Sequence, residues 1–313
     1  MTAPLIVAAP EIRRRVGPYE AIAAMRRAFA AHARGAVTSP QPWQLSAPAG
    51  TVRVDGAHLH GAPYLAVKVT AGYPDNPDVG LPAESGLITV LDAGTGRPAA
   101  LLLDGGYLTE LRAGAAGALA ADLLAPPEVG TVAIVGTGGQ ARFQMEALLH
   151  VRRPGRLLVY GRDDARADRY AWWARSRHTW QVDLATSCEE AVREADLLVT
   201  ATPATNPLVH ADWLRAGTHV TAVGADDARK RELAPDVLAR ADVIACDDPA
   251  RSREVGELKG LGDGDLGAAP TTLGAILTGE APGRKDPDQV TVADLTGLGA
   301  QDAALAELVL ATM

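Results

Sequence analysis

Between residues 129 and 246 the apolar positions of this chain come in short unbroken runs: TVAIVG, RLLVYG, DLLVTAT, HVTAVG and DVIACD. Strands buried on both faces read this way, because neither face needs a polar side chain. Helix-like segments such as CEEAVREA and APDVLARA lie between them. Regular alternation of strand and helix predicts a parallel sheet flanked by helices. Residues 51–104 have a different rhythm. TVRVD, YLAVKVT, GLITVLD and AALLLD are strand-like and parted by Gly, Pro, Asn and Asp turns, the pattern of an antiparallel sheet. Helical spacing places Ile22, Met25, Ala28 and Phe29 on one face of residues 18–34. A small-residue helix, LTELRAGAAGALAADLLA, is expected to open at Thr109 and to end before Pro126-Pro127. The last stretch, VTVADLTGLGAQDAALAELVLATM, reads as strand, glycine turn and helix. The expected class is α/β: a doubly wound parallel sheet over residues 118–299, and a smaller β-rich α+β domain over residues 1–117, to which a helix at about 300–313 returns.

Composition narrows the function classes. The chain has 313 residues, 47% of them apolar, enough for two buried cores. A net charge of −8 with no basic run argues against nucleic acid as a partner. No apolar stretch approaches the ~20 residues of a membrane helix, so no membrane association is expected. The start, MTAPLIVAAPEIRRR, lacks the charged-then-apolar order of a secretory signal. Cys188 and Cys246 have no metal-type spacing and suit a reducing cytoplasm. His58 and His60 would share a strand face, but with no third ligand in view no metal is expected. Trp172, Trp173 and Trp180 are expected to pack the helix after the second strand of the parallel sheet.

The first of those strands runs into Gly136-Thr137-Gly138-Gly139-Gln140-Ala141, a G-x-G-x-x-A pattern. The first glycine permits a tight turn, the second lets backbone approach a pyrophosphate, and Ala141 keeps helix and strand close. The free N–H groups of the following helix would face the phosphates. This predicts a Rossmann-type dinucleotide site. The next strand ends in Gly161, Arg162 and Asp163. An acid near this point would accept ribose hydroxyls, whereas the Arg162 guanidinium could fork onto a 2′-phosphate. NADP(H) is therefore the expected cofactor, with NAD(H) the alternative should Asp163 or Asp164 turn inward.

The segments KVTAGYPDNPDVGLP, GLITVLDAGTGRPAALLLDGGYLTELRAGAAGALAADLLA, GTGGQA, TATP and AVGADDARKREL, in this order, resemble the ornithine cyclodeaminase/mu-crystallin family over nearly the whole chain. The resemblance implies a substrate-binding domain that also forms a homodimer, a Rossmann domain and a nicotinamide cofactor. It makes Lys68 a lysine for the substrate carboxylate, Arg112 an arginine beside the cofactor phosphates and Asp226 the catalytic aspartate. It gives Lys230 and Thr202 cofactor contacts, and sets residues 222–225, with Val223, against the nicotinamide side. Gly139 and Gln140 match the pyrophosphate turn. Elementary chemistry agrees: a C=N bond accepts hydride more readily when protonated, so a carboxylate belongs near its nitrogen. Lys68, inside the apolar run AVKVT, is costly to bury unless paired or functional.

The chain departs from the family's pattern at three points, the first two of which fall in the expected substrate pocket. TSPQPWQL lacks the usual P-x-R arginine, Val54-Asp55-Gly56 stands where a methionine-proline is usual, and Leu295-Thr296 stands where a serine is usual. Arg53 and Asp55 would face the same way on a strand. Arg53 could replace the missing clamp; equally, the substrate could lack the usual α-carboxylate or carry a cation that Asp55 recognises. The resemblance implies reduction of an imine or ketimine, or oxidation of an amine or amino acid, on a small molecule. A cyclodeaminase using bound NAD+ and a non-catalytic small-ligand binder are the competing functions.

Overall fold

The computed structural model describes residues 3–313, the side chain of Pro77 apart. Met1 and Thr2, with which the stretch read above as lacking a secretory signal begins, lie outside the described residues. The chain divides into two units: residues up to Arg112 together with Leu298–Met313, and Ala113–Gly297. The first boundary falls inside the helix Tyr107–Leu124, and the expected division after residue 117 lies in the same helix. That helix does not open at Thr109. Asp104 caps it, its carboxylate accepting the Leu108 N–H at 2.9 Å.

The first unit holds a seven-stranded sheet. Its order is Leu5–Ala8, Pro98–Leu103, Glu84–Asp92, Tyr64–Gly72 and Gly50–Leu59, with Val37–Thr38 and Trp43–Ala47 both pairing the last. The pairs are antiparallel as expected, except that Leu5–Ala8 runs parallel to Pro98–Leu103. Register decides what each face carries. Ala57, Ala66, Val90 and Ala100 form one cross-strand row, and Asp55, Lys68, Ile88 and Leu102 lie in a neighbouring row on the same face. The C-terminal helix, Gly299–Ala311, packs on the strands Gly50–Leu59 and Tyr64–Gly72 and against the helix Pro18–Ala33. It is apolar nearly all round, so it is stable only when enclosed. The opposite sheet face carries Val52, Val54, Val67, Val69, Leu87 and Leu101, none of them fully buried.

The second unit is an eight-stranded, wholly parallel sheet. Its order is Gln181–Leu184, Arg156–Tyr160, Thr131–Val135, Leu197–Thr200, His219–Ala222, Thr291–Asp294, Val243–Cys246 and Thr271–Thr272. Successive residues of one strand enter opposite cores. Val132 and Ile134 join Met145, Leu157 and Tyr170, whereas Ala133 and Val135 join Leu158, Leu198 and Val220. This is why the strands read as unbroken apolar runs. The two strands absent from the sequence reading, Gln181–Leu184 and Thr271–Thr272, form the two edges of the sheet and are polar or short. Trp173 packs in the core as expected, with Trp180 half-buried beside it, but Trp172 is 71% exposed.

Four buried carboxylates, Glu232, Glu257, Asp294 and Asp247, line this unit. Backbone N–H groups and hydroxyls satisfy them. Glu257 accepts the N–H groups of Glu232 (2.8 Å) and Leu233 (3.0 Å), and its own N–H donates to Asp294 Oδ2 (2.8 Å), which also accepts the Ser252 hydroxyl. Asp247 accepts the Thr296 hydroxyl at 3.0 Å and the Gly297 N–H. Burial pushes Glu257 up to about 8 and Asp294 up to about 7. His219 works in the opposite sense: burial between Thr291 and Thr221 pushes it down to about 3.

Asp294 keeps its proton in the fold at pH values where the unfolded chain, near 3.8, has lost it. Its contribution to stability is therefore full below the unfolded value and is lost as pH rises through about 7. Asp294→Asn retains an acceptor for Ser252 and Glu257 and removes the titration. Thermal melts at about pH 5 and about pH 8 should show the wild-type Tm falling further than that of the variant, by ~3 °C or more. Parallel changes in the two proteins would show that Asp294 is not the titrating group.

Candidate functional site

The sheet order of the second unit changes direction beside Thr131–Val135: the next strands in sequence go to one side, the later ones to the other. Ligands of open α/β sheets sit at such a switch point, outside the carboxyl ends of the strands. Gly136 leaves Thr131–Val135 at φ +109°, and a Cβ there would fall on the carbonyl oxygen of Ala201, just past the neighbouring strand Leu197–Thr200. The two loops thus meet at the switch point, and glycine is required for them to do so. Gly138 is the N-cap of the helix Gly139–Leu148, and a Cβ there would meet nothing within 4 Å. Exposed backbone, open space and a helix N-terminus fit a pyrophosphate. Ala141 is fully buried in the core, and Gln140 and Thr137 lie on the same loop and first turn.

At the end of the second strand, Gly161 lies against Thr137: a Cβ at 161 would come within 2.9 Å of the Thr137 methyl. An acid at this position would have to push the Thr137 side chain aside. Asp163 does not turn inward. It is the N-cap of the helix Asp164–Arg177, accepting the Arg166 N–H at 3.0 Å. Arg162 is exposed.

Beyond the strand His219–Ala222, Val223 donates to the Thr200 carbonyl at 3.0 Å, and Asp226 lies in the following turn. The Asp226 carboxylate is half exposed and takes the Lys230 ammonium at 2.6 Å. The other feature of this end is Glu232, which sequence reasoning missed. Its carboxylate accepts from Thr202 N–H (2.6 Å), Thr200 Oγ1 (2.7 Å) and Gly224 N–H (2.8 Å). RKREL offers no signal for it, since a glutamate among charged residues reads as solvated.

In the first unit, Lys68 and Arg112 meet on one buried carboxylate. Lys68 Nζ lies 2.6 Å from Asp302 Oδ2, and Arg112 Nε lies 2.8 Å from Asp302 Oδ1. Arg112 Nη1 also donates to Gln301 Oε1 at 2.5 Å. Lys68 is 4% exposed, and burial followed by the Arg112 charge pulls its ammonium below the ordinary lysine value, against the pull of Asp302. Asp302 was also missed. A signal existed: a carboxylate inside the apolar helix AQDAALA is as costly to bury as a lysine in AVKVT. Arg53 and Asp55 do share a face and pair at 3.0 Å, with Asp55 directly across from Lys68. His58 and His60 each have a hydrogen-bond partner, Ala62 O and Thr38 Oγ1, and among the described residues no cluster of three metal-ligating side chains occurs. Lys68, Arg112, Arg53 and Asp55 thus belong to the first unit, and the glycine loop, Thr202, Val223, Asp226 and Lys230 to the second.

Known proteins share this architecture over its whole length. An archaeal alanine dehydrogenase dimer with bound NAD is 34% identical, covers 99% of this chain and 95% of its own, and superimposes with a TM-score of 0.92. The Δ(1)-pyrroline-2-carboxylate reductase of Thermococcus litoralis, in complex with NADH and L-proline, is 27% identical with a TM-score of 0.91, covering 98% and 97%. The iminosuccinate reductase of Paracoccus denitrificans, in complex with NAD+, is 28% identical with a TM-score of 0.88, covering 99% and 96%. The second unit is accordingly a Rossmann domain, joined to a second, β-rich domain. The model of the ornithine cyclodeaminase/mu-crystallin family matches residues 4–313, and the chain belongs to that family.

Proposed function

We propose that the protein is a nicotinamide-dependent oxidoreductase acting on C=N/CH–NH bonds, reducing an imine or ketimine or oxidising the corresponding amine or amino acid. The observation that carries this reading is the buried set Lys68–Asp302–Arg112. Two cations against one carboxylate leave a net positive charge, suited to a substrate carboxylate. The neighbouring structures support it, since alanine, proline and iminosuccinate all carry a carboxylate beside an amine or imine. When bound, the nicotinamide ring supplies or takes up the hydride. Lys68 and Arg112 hold the acid group, with Arg53 as the further clamp and Asp55 setting its direction. Asp226 stabilises positive charge on the reacting nitrogen and moves its proton, and Lys230 holds Asp226 in place. The free thiols Cys188 and Cys246 accord with a reducing cytoplasm, and among the described residues no helix is long and apolar enough to cross a membrane.

NADP(H) is the proposed form of the cofactor, although the three neighbours were solved with NAD(H). Gly161 itself offers no carboxylate and lies against the Thr137 side chain, Asp163 is engaged as a helix cap, and Arg162 stands exposed beside them. Titration should give tighter binding of NADPH than of NADH. Arg162→Ala should weaken NADPH by ~1.5–3 kcal/mol and leave NADH unchanged. Tighter NADH binding by the wild type would overturn the preference.

The outer sheet face is proposed as the contact with a second copy of the chain. Val54, Val67, Val69, Leu87 and Leu101 lie there with Trp43 (58% exposed) and Ile6 (70% exposed) at its margins, a contiguous apolar surface that water would disfavour. Light scattering at micromolar concentration should report a dimer, and Val67→Arg a monomer. A monomeric wild type would refute this contact.

Screening cyclic imines, amines and amino acids for a change in nucleotide absorbance identifies the substrate. On it, Asp226→Asn should lower turnover ~10²–10⁴-fold with NADPH affinity nearly intact. Lys68→Ala should raise KM at least as much as it lowers turnover, because a carboxylate is held in ground and transition states alike. Near-full turnover by Asp226→Asn would make Asp226 a turn residue only. Release of ammonia from ornithine or lysine without net nucleotide change would identify a cyclodeaminase instead.

A further inference from the structure

We propose that Glu232 is a positioning residue for the nicotinamide end of the cofactor, its carboxylate fixing the spacing between the ends of two neighbouring strands. The proposal rests on the dinucleotide reading above. Leu197–Thr200 and His219–Ala222 are parallel neighbours, with Thr200 opposite Ala222 at the end of the ladder. One further rung, Val223 N–H to Thr200 O at 3.0 Å, follows. Beyond it the strands part, and backbone N–H groups there need another acceptor. Glu232 supplies it on both sides. One oxygen takes the Thr202 N–H, and the other takes the Gly224 N–H and the Thr200 hydroxyl, at 2.6–2.8 Å.

The fit is specific to this arrangement. A Cβ at Gly224 would fall on the Thr202 carbonyl oxygen and within 2.6 Å of the Glu232 carboxylate, so the carboxylate occupies the space that glycine leaves. Glu232 itself is fully buried and held from behind. Its N–H donates to Glu257, and its carbonyl accepts from Leu208 (2.7 Å) and Val209 (3.1 Å). Of the residues it presents, the stretch around Val223 is the one the family resemblance sets against the nicotinamide side, and Thr202 is given a cofactor contact. It makes no hydrogen bond to residues 136–141 or 161–163, which are assigned to the pyrophosphate and adenosine side. Loosening Glu232 should therefore be felt by one half of the ligand.

The test uses the full chain and two classes of ligand. NADPH and NADH carry the ring; ADP-ribose and its 2′-phosphate lack it. Dissociation constants are measured by calorimetry for the wild type, Glu232→Gln and Thr200→Val. An amide cannot accept at both of its ends, so Glu232→Gln should weaken the preferred dinucleotide about tenfold or more while the ring-less ligand changes less than about twofold. Thr200→Val removes one hydroxyl donor at nearly constant shape and should show the same pattern at about two- to fivefold. Should Glu232→Gln not fold, Thr200→Val carries the comparison alone. Equal weakening of both ligand classes, or of neither, overturns the role of Glu232. Failure of the wild type to bind either dinucleotide overturns the cofactor reading, and the proposal with it.

Discussion

The first unit depends on the grip of Asp302 on Lys68 and Arg112. A lysine in the middle strand of a sheet, enclosed on the face that packs against a helix, is unfavourable by several kcal/mol if left alone. Its partner cannot come from the sheet, where Ile88 stands on the other side of it and Asp55 is turned to Arg53. The carboxylate arrives instead from a helix more than two hundred residues further along, which also meets Arg112. The same helix fills the space above Ala57 and Ala66. Charge pairing and apolar packing thus demand the same segment, and neither is complete without it.

Buried acids are balanced in two ways in this chain. Asp302 is balanced by cations. Glu232, Glu257, Asp294 and Asp247 are balanced mainly by oriented N–H and O–H dipoles at strand ends and turns. A carboxylate held by a neighbouring cation keeps its charge easily, whereas one held by dipoles in a dry interior competes with its own protonated form. The first arrangement suits a place where charge must persist for a ligand. The second suits a scaffold that spaces backbone segments.

Much of this was legible in the residues. The unbroken runs of the Rossmann unit follow from burial on both faces, and the glycine loop declares itself by position as well as spacing. The β-rich unit was legible by its turns. Legibility failed where the signal is not periodic. The edge strand Gln181–Leu184 buries one residue, Val182, and is held in place by pairing with Arg156–Tyr160 rather than by its own pattern. Leu5–Ala8 is likewise defined by the strand it joins. Glu232 could not be found because burial of a polar segment depends on what folds over it. Asp302 could have been found by the argument applied to Lys68, a charge inside an apolar element, had it been applied to helices as well as strands.

The discontinuity of the first unit has a consequence for how the protein is made. The Rossmann unit is one continuous stretch, available to fold while the chain is still being synthesised. The first unit starts earlier but cannot finish until the helix that neutralises Lys68, which follows the whole Rossmann unit in the chain, has been made. Until that helix emerges, the β-sheet of the first unit waits with an unpaired lysine and an uncovered apolar face. The segment made before the Rossmann unit becomes native only after it.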